Sequence, residues 1–350
     1  MPPQINALNQ IALKLMAPHK GLLAADESPK NATKRFESLN IESNEENRRI
    51  YRQMLMTTPG IDEFLSGVIL QDETIHQSTD DGTLFPKYLE AHGIIPGIKV
   101  DKGLIPLDNF PDETITEGLD GLADRLKDYY ALGARFAKWR AAFKIAPGIP
   151  TKGAMHSNLH TMARYAAMCQ TAGIVPIVEP EVIYDSEHTL DQSAEATQAA
   201  IEVLMAMLQA YRVDLRGVIL KTSMILAGKP SATQTASEEV ASRSIEVLTA
   251  AVPHNLAGIV FLSGGQTPDQ ARDNLQAIGM LGSQPWPITF SYSRAVQDPA
   301  MQAWAGKSDN IAAAQKIYFG LTRDNAMARH GEYTGNGTAA SDFVSQTQDS

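Results

Sequence analysis

Short apolar runs recur along the chain, each giving way to polar or glycine-rich residues. They stand at 21–27 (GLLAADE), 67–73 (GVILQDE), 95–101 (IPGIKVD), 136–143 (FAKWRAAF), 174–182 (IVPIVEPEV), 217–224 (GVILKTSM), 258–263 (GIVFLS) and 288–294 (ITFSYSR). Each has the length of a strand, and several are rich in Val, Ile or Phe. Between them the spacing becomes helical. Ile201, Leu204, Met205, Leu208 and Tyr211 fall at i, i+3, i+4, i+7 and i+10, and Leu119, Leu122, Ala123 and Leu126 repeat the pattern. Such spacing gives each segment one apolar stripe. The runs start roughly 30 to 45 residues apart, enough for a crossover helix between parallel strands. Eight strand–helix units predict an α/β fold, a closed (β/α)8 TIM barrel; a doubly wound open sheet is the alternative that alternation alone permits. One barrel domain is expected over residues 1–332, with the polar, glycine-bearing stretch 333–350 as a flexible tail.

Composition narrows the class. The 350 residues are 43% hydrophobic, within the range of globular domains. No apolar run approaches the roughly 20 residues that span a bilayer. The opening MPPQINALNQIALKLMAPHK is broken by polar residues and prolines, unlike a signal peptide's apolar core. A single cysteine, Cys169, forms no internal disulfide, so a reducing cytoplasm is the expected compartment. The net charge of −10 argues against nucleic acid or an anionic membrane as partner. A small anionic ligand would need a local cluster of Lys and Arg.

Such a cluster is written into the strand ends. In a barrel, the C-terminal ends of the strands and the loops after them build the active site. Here those ends carry Asp26 and Glu27, Lys99 with Asp101, Lys138 with Arg140, Glu179 with Glu181, Lys221, Ser263-Gly264-Gly265, and Arg294. Residues two apart in a strand share a face, so each spaced pair can point into one cavity. A single charged strand end is ordinarily a solvated edge; charge or a glycine turn at nearly every end is harder to read that way.

Lys221 lies inside the run GVILKTSM. Either it snorkels to the barrel mouth, or its amine is held in a partly desolvated site. Desolvation and a nearby cation both favour the neutral form of a lysine, and a neutral amine attacks a carbonyl to form a Schiff base. Lys138 is the candidate cationic neighbour. After the seventh run, SGGQTP offers backbone N–H groups unscreened by side chains, where this fold often holds phosphate; Arg294 adds a charge-assisted contact. The histidines are scattered. His156 and His160 have i, i+4 spacing without an accompanying acid signature, and are read as helix surface rather than metal ligands. Neither GxxxxGK[ST] nor a strand-linked GxGxxG occurs, so nucleotide binding has no support.

In order along the chain, GLLAADES, GIKVDKG, FAKWR, PIVEPE, VILK, FLSGGQ and TFSYSRA resemble the motifs of class I fructose-bisphosphate aldolases, over about residues 21–333. The resemblance implies a Schiff-base lyase of glycolysis and gluconeogenesis that cleaves fructose 1,6-bisphosphate reversibly to dihydroxyacetone phosphate and glyceraldehyde 3-phosphate, with no cofactor and no metal. It implies Lys221 as nucleophile, Lys138 as its neighbouring cation, Glu179 as general acid/base with Glu181 in support, and Asp26 acting on the substrate hydroxyl during cleavage. Lys99 and Arg140 match substrate contacts; Ser263, Gly264, Gly265 and Arg294 match one phosphate site, and Ser28 and Arg35 the region of the second. A homotetramer is implied by the resemblance alone.

The chain departs from the family pattern in places. Thr222-Ser223 follow Lys221 where Pro-Asn is common, and Pro29-Lys30-Asn31 stand where Thr-Gly-Ser is usual, so Asn31 replaces a phosphate-contacting serine. The chain ends in QTQDS rather than in the tyrosine that reaches the site in many animal members. Two other readings compete. A transaldolase-like transferase would share the lysine but not the glycine loop with Arg294. A phosphosugar-binding scaffold would not need Lys221, Lys138, Glu179 and Asp26 together.

Overall fold

The computed structural model describes residues 3–231 and 234–335. Among the described residues, ten strands occur in chain order: β1 (Gly21–Ala24), β2 (Leu65–Leu70), β3 (Ile95–Lys99), β4 (Gly103–Pro106), β5 (Thr114–Glu117), β6 (Phe136–Phe143), β7 (Val175–Val182), β8 (Ile219–Thr222), β9 (Gly258–Phe261) and β10 (Ile288–Tyr292). Eight close into a parallel barrel in the order β1-β10-β9-β8-β7-β6-β3-β2, and β4-β5 form a separate antiparallel hairpin. All eight apolar runs are barrel strands, which settles the closed barrel over the open sheet.

The hairpin is a feature the apolar runs did not predict. Its strands are short and half exposed, so they lack the continuous apolar stretch that marks the buried barrel strands. The helix read around Leu119–Leu126 begins only at Leu122. Gly118 and Gly121 stand at φ 128° and 66°, a conformation that ends regular helix on their side. The helix pattern from Ile201 to Tyr211 is borne out by the helix Leu190–Ala210, with Tyr211 as its C-cap. His156 and His160 lie exposed on the helix Lys152–Thr171, and the His160 ring shares a hydrogen bond with the Tyr211 hydroxyl at 2.5 Å.

Alternation decides which side chains enter the barrel. Outward-facing Trp139 packs against Tyr165 of the surrounding helix layer, the rings tilted with centroids 5.4 Å apart. The inward residues at the N-terminal half are apolar: Leu22, Ile69, Phe136, Val175, Ile177, Ile219 and Val260 form one buried cluster. The helix Pro3–Leu15 closes that end. Its Leu8, Ala12 and Leu15, spaced i, i+4, i+7, join the same cluster together with Met16. The lower barrel is thus packed and plugged, and charged inward positions appear only toward the C-terminal mouth.

Close packing requires glycine for space alone at several barrel-strand positions, most tightly at Gly97. A Cβ on Gly97 of β3 would sit 2.2 to 2.5 Å from ring atoms of Phe136, whose side chain is fully buried. The ring has no free volume to retreat into, because protein interiors are close-packed. The expected 333–350 tail begins at Tyr333, which is pinned: its N–H donates to Gln276 Oε1 at 3.1 Å, and the Arg272 guanidinium lies 4.4 Å from its ring centre. From residue 336 onward that expected tail lies outside the described residues. Gly97→Ala should lower stability by about 1–3 kcal/mol through overpacking, read as a lower urea midpoint. An unchanged midpoint would contradict the packing account.

Candidate active site

The period of two that fills the lower barrel with aliphatic side chains places charge at its upper end. On β6, Phe136 faces the apolar interior and Lys138 and Arg140 follow on the same face. On β7, Val175 and Ile177 precede Glu179 and Glu181; on β8, Ile219 precedes Lys221. The charged residues among these, with Asp26 and Glu27 beyond β1, Lys99 and Asp101 at the end of β3, and Leu262, Ser263, Gly264, Ser291, Ser293 and Arg294 from the β9–β10 side, line a cavity of about 490 Å³. Gly103 and Leu104 of the hairpin and Asn31 complete the rim.

The centre is a buried chain of four charges. Lys221 Nζ lies 3.1 Å from Glu179 Oε1, and Lys138 Nζ lies 2.7 Å from Glu179 Oε2 and 3.2 Å from Asp26 Oδ2. One carboxylate therefore bridges two lysines. Lys138, Glu179 and Lys221 are all under 5% exposed. Burial disfavours the Lys138 ammonium, but the carboxylates of Asp26, Glu179 and Asp101 outweigh it and raise its pKa above the ordinary lysine value. Burial pushes Asp26 the other way, yet Lys138, Lys221 and Lys99 hold its carboxyl below the usual carboxylate range. Glu181 follows the same pattern: Arg140 overcomes burial and lowers its pKa. Arg140 Nε donates to Glu181, and Lys99 Nζ lies 2.7 Å from Asp101 Oδ1.

On the β9–β10 wall two polar groups, Arg294 and Ser291, are unspent. Gly264 and Gly265 stand at φ 54° and 91°, left-handed values that glycine adopts without steric cost. Beneath this loop, the buried Gln266 accepts from Asn274 Nδ2 at 2.7 Å. The helix Pro268–Met280 starts directly afterward with a reciprocal capping box between Thr267 and Gln270. A Cβ on Gly265 would lie 3.5 Å from Arg294 Nη2, so Arg294 borders the loop. Every cavity carboxylate has a protein cation, Glu27 taking Arg35. Among the described residues, Arg294 has no ion-pair partner, and the buried Ser291 Oγ has no hydrogen-bond partner.

Not every predicted site residue reaches this cavity. Ser28 caps the helix Pro29–Glu37 by accepting from Asn31 N–H, and lines an adjoining hollow with Lys99, Lys102 and Arg125. Arg35 is paired with Glu27 and with Asp298 Oδ1 at 2.6 Å, and donates to Gln297 Oε1 at 3.2 Å. Gly265 stands behind the rim beside Arg294. Glu27 and Asp101, read from the sequence only as strand-end charges, line the cavity, and Ser291, Ser293 and Leu104 line it without any such reading. The signal for the serines was present: Thr289, Ser291 and Ser293 put polar groups on one face of an otherwise apolar strand. Ser293 Oγ donates to Glu27 Oε1 at 2.6 Å.

Comparison with known proteins fits this geometry. The family model described as "Fructose-bisphosphate aldolase class-I" matches residues 7–349. A probable fructose-bisphosphate aldolase class 1 of Xanthomonas axonopodis pv. citri (strain 306) is 48% identical over 332 residues, 95% of this chain and 99% of that protein. Arabidopsis thaliana "Fructose-bisphosphate aldolase 4, cytosolic" is 44% identical over 320 residues, 91% of this chain and 81% of that one. Among solved structures, fructose-bisphosphate aldolase from Plasmodium falciparum, in complex with TRAP and a small molecule inhibitor, matches with a TM-score of 0.94 at 40% identity, covering 96% of this chain and 97% of that chain. A barrel with paired lysines and carboxylates at its mouth, matched along nearly its whole length, belongs to the class I fructose-bisphosphate aldolases, carbon–carbon lyases of glycolysis.

Proposed function

We propose that Lys221 is the Schiff-base nucleophile and that Asp26, Lys138 and Glu179 manage its protons. The observation that carries this reading is the single carboxylate of Glu179 bridging Lys221 and Lys138. Lys221 Nζ adds to the C2 ketone of fructose 1,6-bisphosphate, giving a carbinolamine. Two protons of the Lys221 ammonium pass in turn through Glu179, one to the ketone oxygen as the carbinolamine forms and one to the departing hydroxyl, so water leaves and an iminium forms. Asp26, kept ionised by its lysines, accepts the proton of the C4 hydroxyl. The C3–C4 electron pair flows into the iminium, and glyceraldehyde 3-phosphate departs. Protonation of the enamine at C3 and addition of water release dihydroxyacetone phosphate and restore the amine. Lys138, whose charge its carboxylates maintain, stabilises negative charge at the reacting hydroxyls; Glu181 holds Arg140 at the rim.

Barrel topology supports a substrate with phosphates at both ends. C2 is one carbon from the C1 phosphoester, so that phosphate belongs near Lys221 on β8. The neighbouring strands β9 and β10 carry Ser263, Gly264, Ser291 and the unpaired Arg294, with Gly265 behind them. The distal phosphate then points across the mouth. β3, with Lys99, is four strands from β9 in either direction (β9-β8-β7-β6-β3 and β9-β10-β1-β2-β3). Arg140 stands beside it on β6, and Ser28 and Asn31 lie on that side of the rim. Arg35 would have to leave Glu27 or Asp298 to bind phosphate.

We further propose a homotetramer in the cytoplasm. The assembly rests on the resemblance. The compartment is supported by the single cysteine, which is buried and free, and no described helix is long and apolar enough to cross a membrane. Light scattering on the purified enzyme, with fractionation of the source cells, should give a mass near four chains in the soluble fraction. A single-chain mass at micromolar concentration would reject the assembly, and recovery with membranes or an organelle would reject the compartment.

The catalytic assignment is tested by borohydride reduction in the presence of dihydroxyacetone phosphate, followed by peptide mass analysis. The expected result is one reduced adduct on Lys221, lost in Lys221→Ala together with sugar cleavage. An adduct on Lys138 instead, or cleavage surviving in Lys221→Ala, would overturn it.

A further inference from the structure

We infer that Asp101 is a positioning residue that fixes Lys99 and the root of the β4–β5 hairpin, and thereby sets the preference for a substrate carrying the distal phosphate. This inference rests on the proposed function. Asp101 contacts neither the Lys221–Glu179–Lys138–Asp26 chain, where it acts on Lys138 only through a longer-range charge weaker than those of Asp26 and Glu179, nor the Arg294 wall. Its side chain is 3% exposed, and both carboxylate oxygens are engaged. Oδ1 lies 2.7 Å from Lys99 Nζ and accepts the Gly103 N–H at 3.2 Å; Oδ2 accepts the Arg140 N–H at 3.3 Å. The Asp101 main-chain carbonyl accepts from the same Lys99 ammonium at 3.0 Å. One residue thus grips Lys99 twice, ties β3 to the backbone of β6 at Arg140, and holds the first residue of the hairpin.

The arrangement has a chemical consequence. Lys99 is 21% exposed at its side chain, and a lysine on a water-filled rim otherwise samples many rotamers. Ordering it on substrate binding would cost affinity; here the cost is met before substrate arrives. Gly103, held by Asp101, stands at φ 100°, and the next residue, Leu104, turns toward the cavity rim. Asp101 therefore presets both the cation and the apolar lip on the side of the mouth opposite Arg294. A ligand without a phosphate at that end makes no use of the preset lysine, so losing Asp101 should be felt by the bisphosphate and not by a 1-monophosphate.

Steady-state kinetics with fructose 1,6-bisphosphate and with fructose 1-phosphate test this in Asp101→Asn, Lys99→Gln and the double variant. Asp101→Asn should raise KM for the bisphosphate roughly tenfold, the scale of ordering one long side chain, with kcat changed by less than about threefold and the monophosphate kcat/KM by less than about twofold. The double variant should match Lys99→Gln alone, because Asp101 acts through Lys99. Equal losses on both substrates, an unchanged preference, or additive losses in the double variant would overturn the inference. Should Asp101→Asn fail to fold, Asp101→Ser is read by the same criteria. Borohydride trapping of the unaltered enzyme separates the two readings. An adduct on Lys221 with unchanged preference in the variant removes only the role of Asp101; without that adduct, both readings fall.

Discussion

The structure turns on one carboxylate shared by two ammonium groups. Glu179 lies between Lys138 and Lys221, deep in the mouth of the barrel, with Asp26 on the far side of Lys138. Burying a charge without a partner costs several kcal/mol, so none of the four groups is tolerable there alone. They come from or just beyond β1, β6, β7 and β8, and meet only when the sheet has closed on itself. The N-terminal helix and the aliphatic lower layer supply that closure with apolar packing and keep water out from below. Stability is concentrated at one end of the barrel and reactive charge at the other.

Charge pairing extends from this centre outward and then stops. Arg140 pairs with Glu181, Lys99 with Asp101, and Arg35 with Glu27 and Asp298. At the β9–β10 wall, Arg294 and Ser291 are left without such partners among the described residues. An acidic protein thereby keeps a local demand for anionic charge on one side of its mouth. The asymmetry orients a sugar bisphosphate: one phosphate meets free donors beside Lys221, and the other meets cations already held in place.

The fold was legible because burial on both faces makes barrel strands read as continuous apolar runs, and all eight runs became strands. The catalytic centre was legible for a related reason. Lys138 with Arg140 and Glu179 with Glu181 obey the two-residue period, and Lys221 interrupts a run that has no other polar requirement. What depended on loops was not legible. The hairpin has half-exposed strands too short to stand out, and Asp101 looked like a strand-end partner of Lys99 rather than the knot of four contacts. Arg35 matched a motif, but its pairing with Asp298 lies 263 residues away in sequence. Ser28 likewise had two uses, and its place as a helix cap follows from the backbone after β1. Ser291 carried a signal, inward polar alternation on β10, but a hydroxyl marks a strand end less sharply than a charge does.

The central claim is that Glu179 moves the protons of Schiff-base formation at Lys221. It is tested most directly by single-turnover kinetics, trapping the adduct with dihydroxyacetone phosphate at successive times in Glu179→Gln. The glutamine keeps the shape and loses the proton-accepting oxygen, so adduct formation should slow by roughly 10²–10⁴-fold, the contribution of a positioned acid or base, while the adduct still maps to Lys221. Formation at the unaltered rate would contradict the account and leave Glu179 as no more than a counter-ion for Lys138.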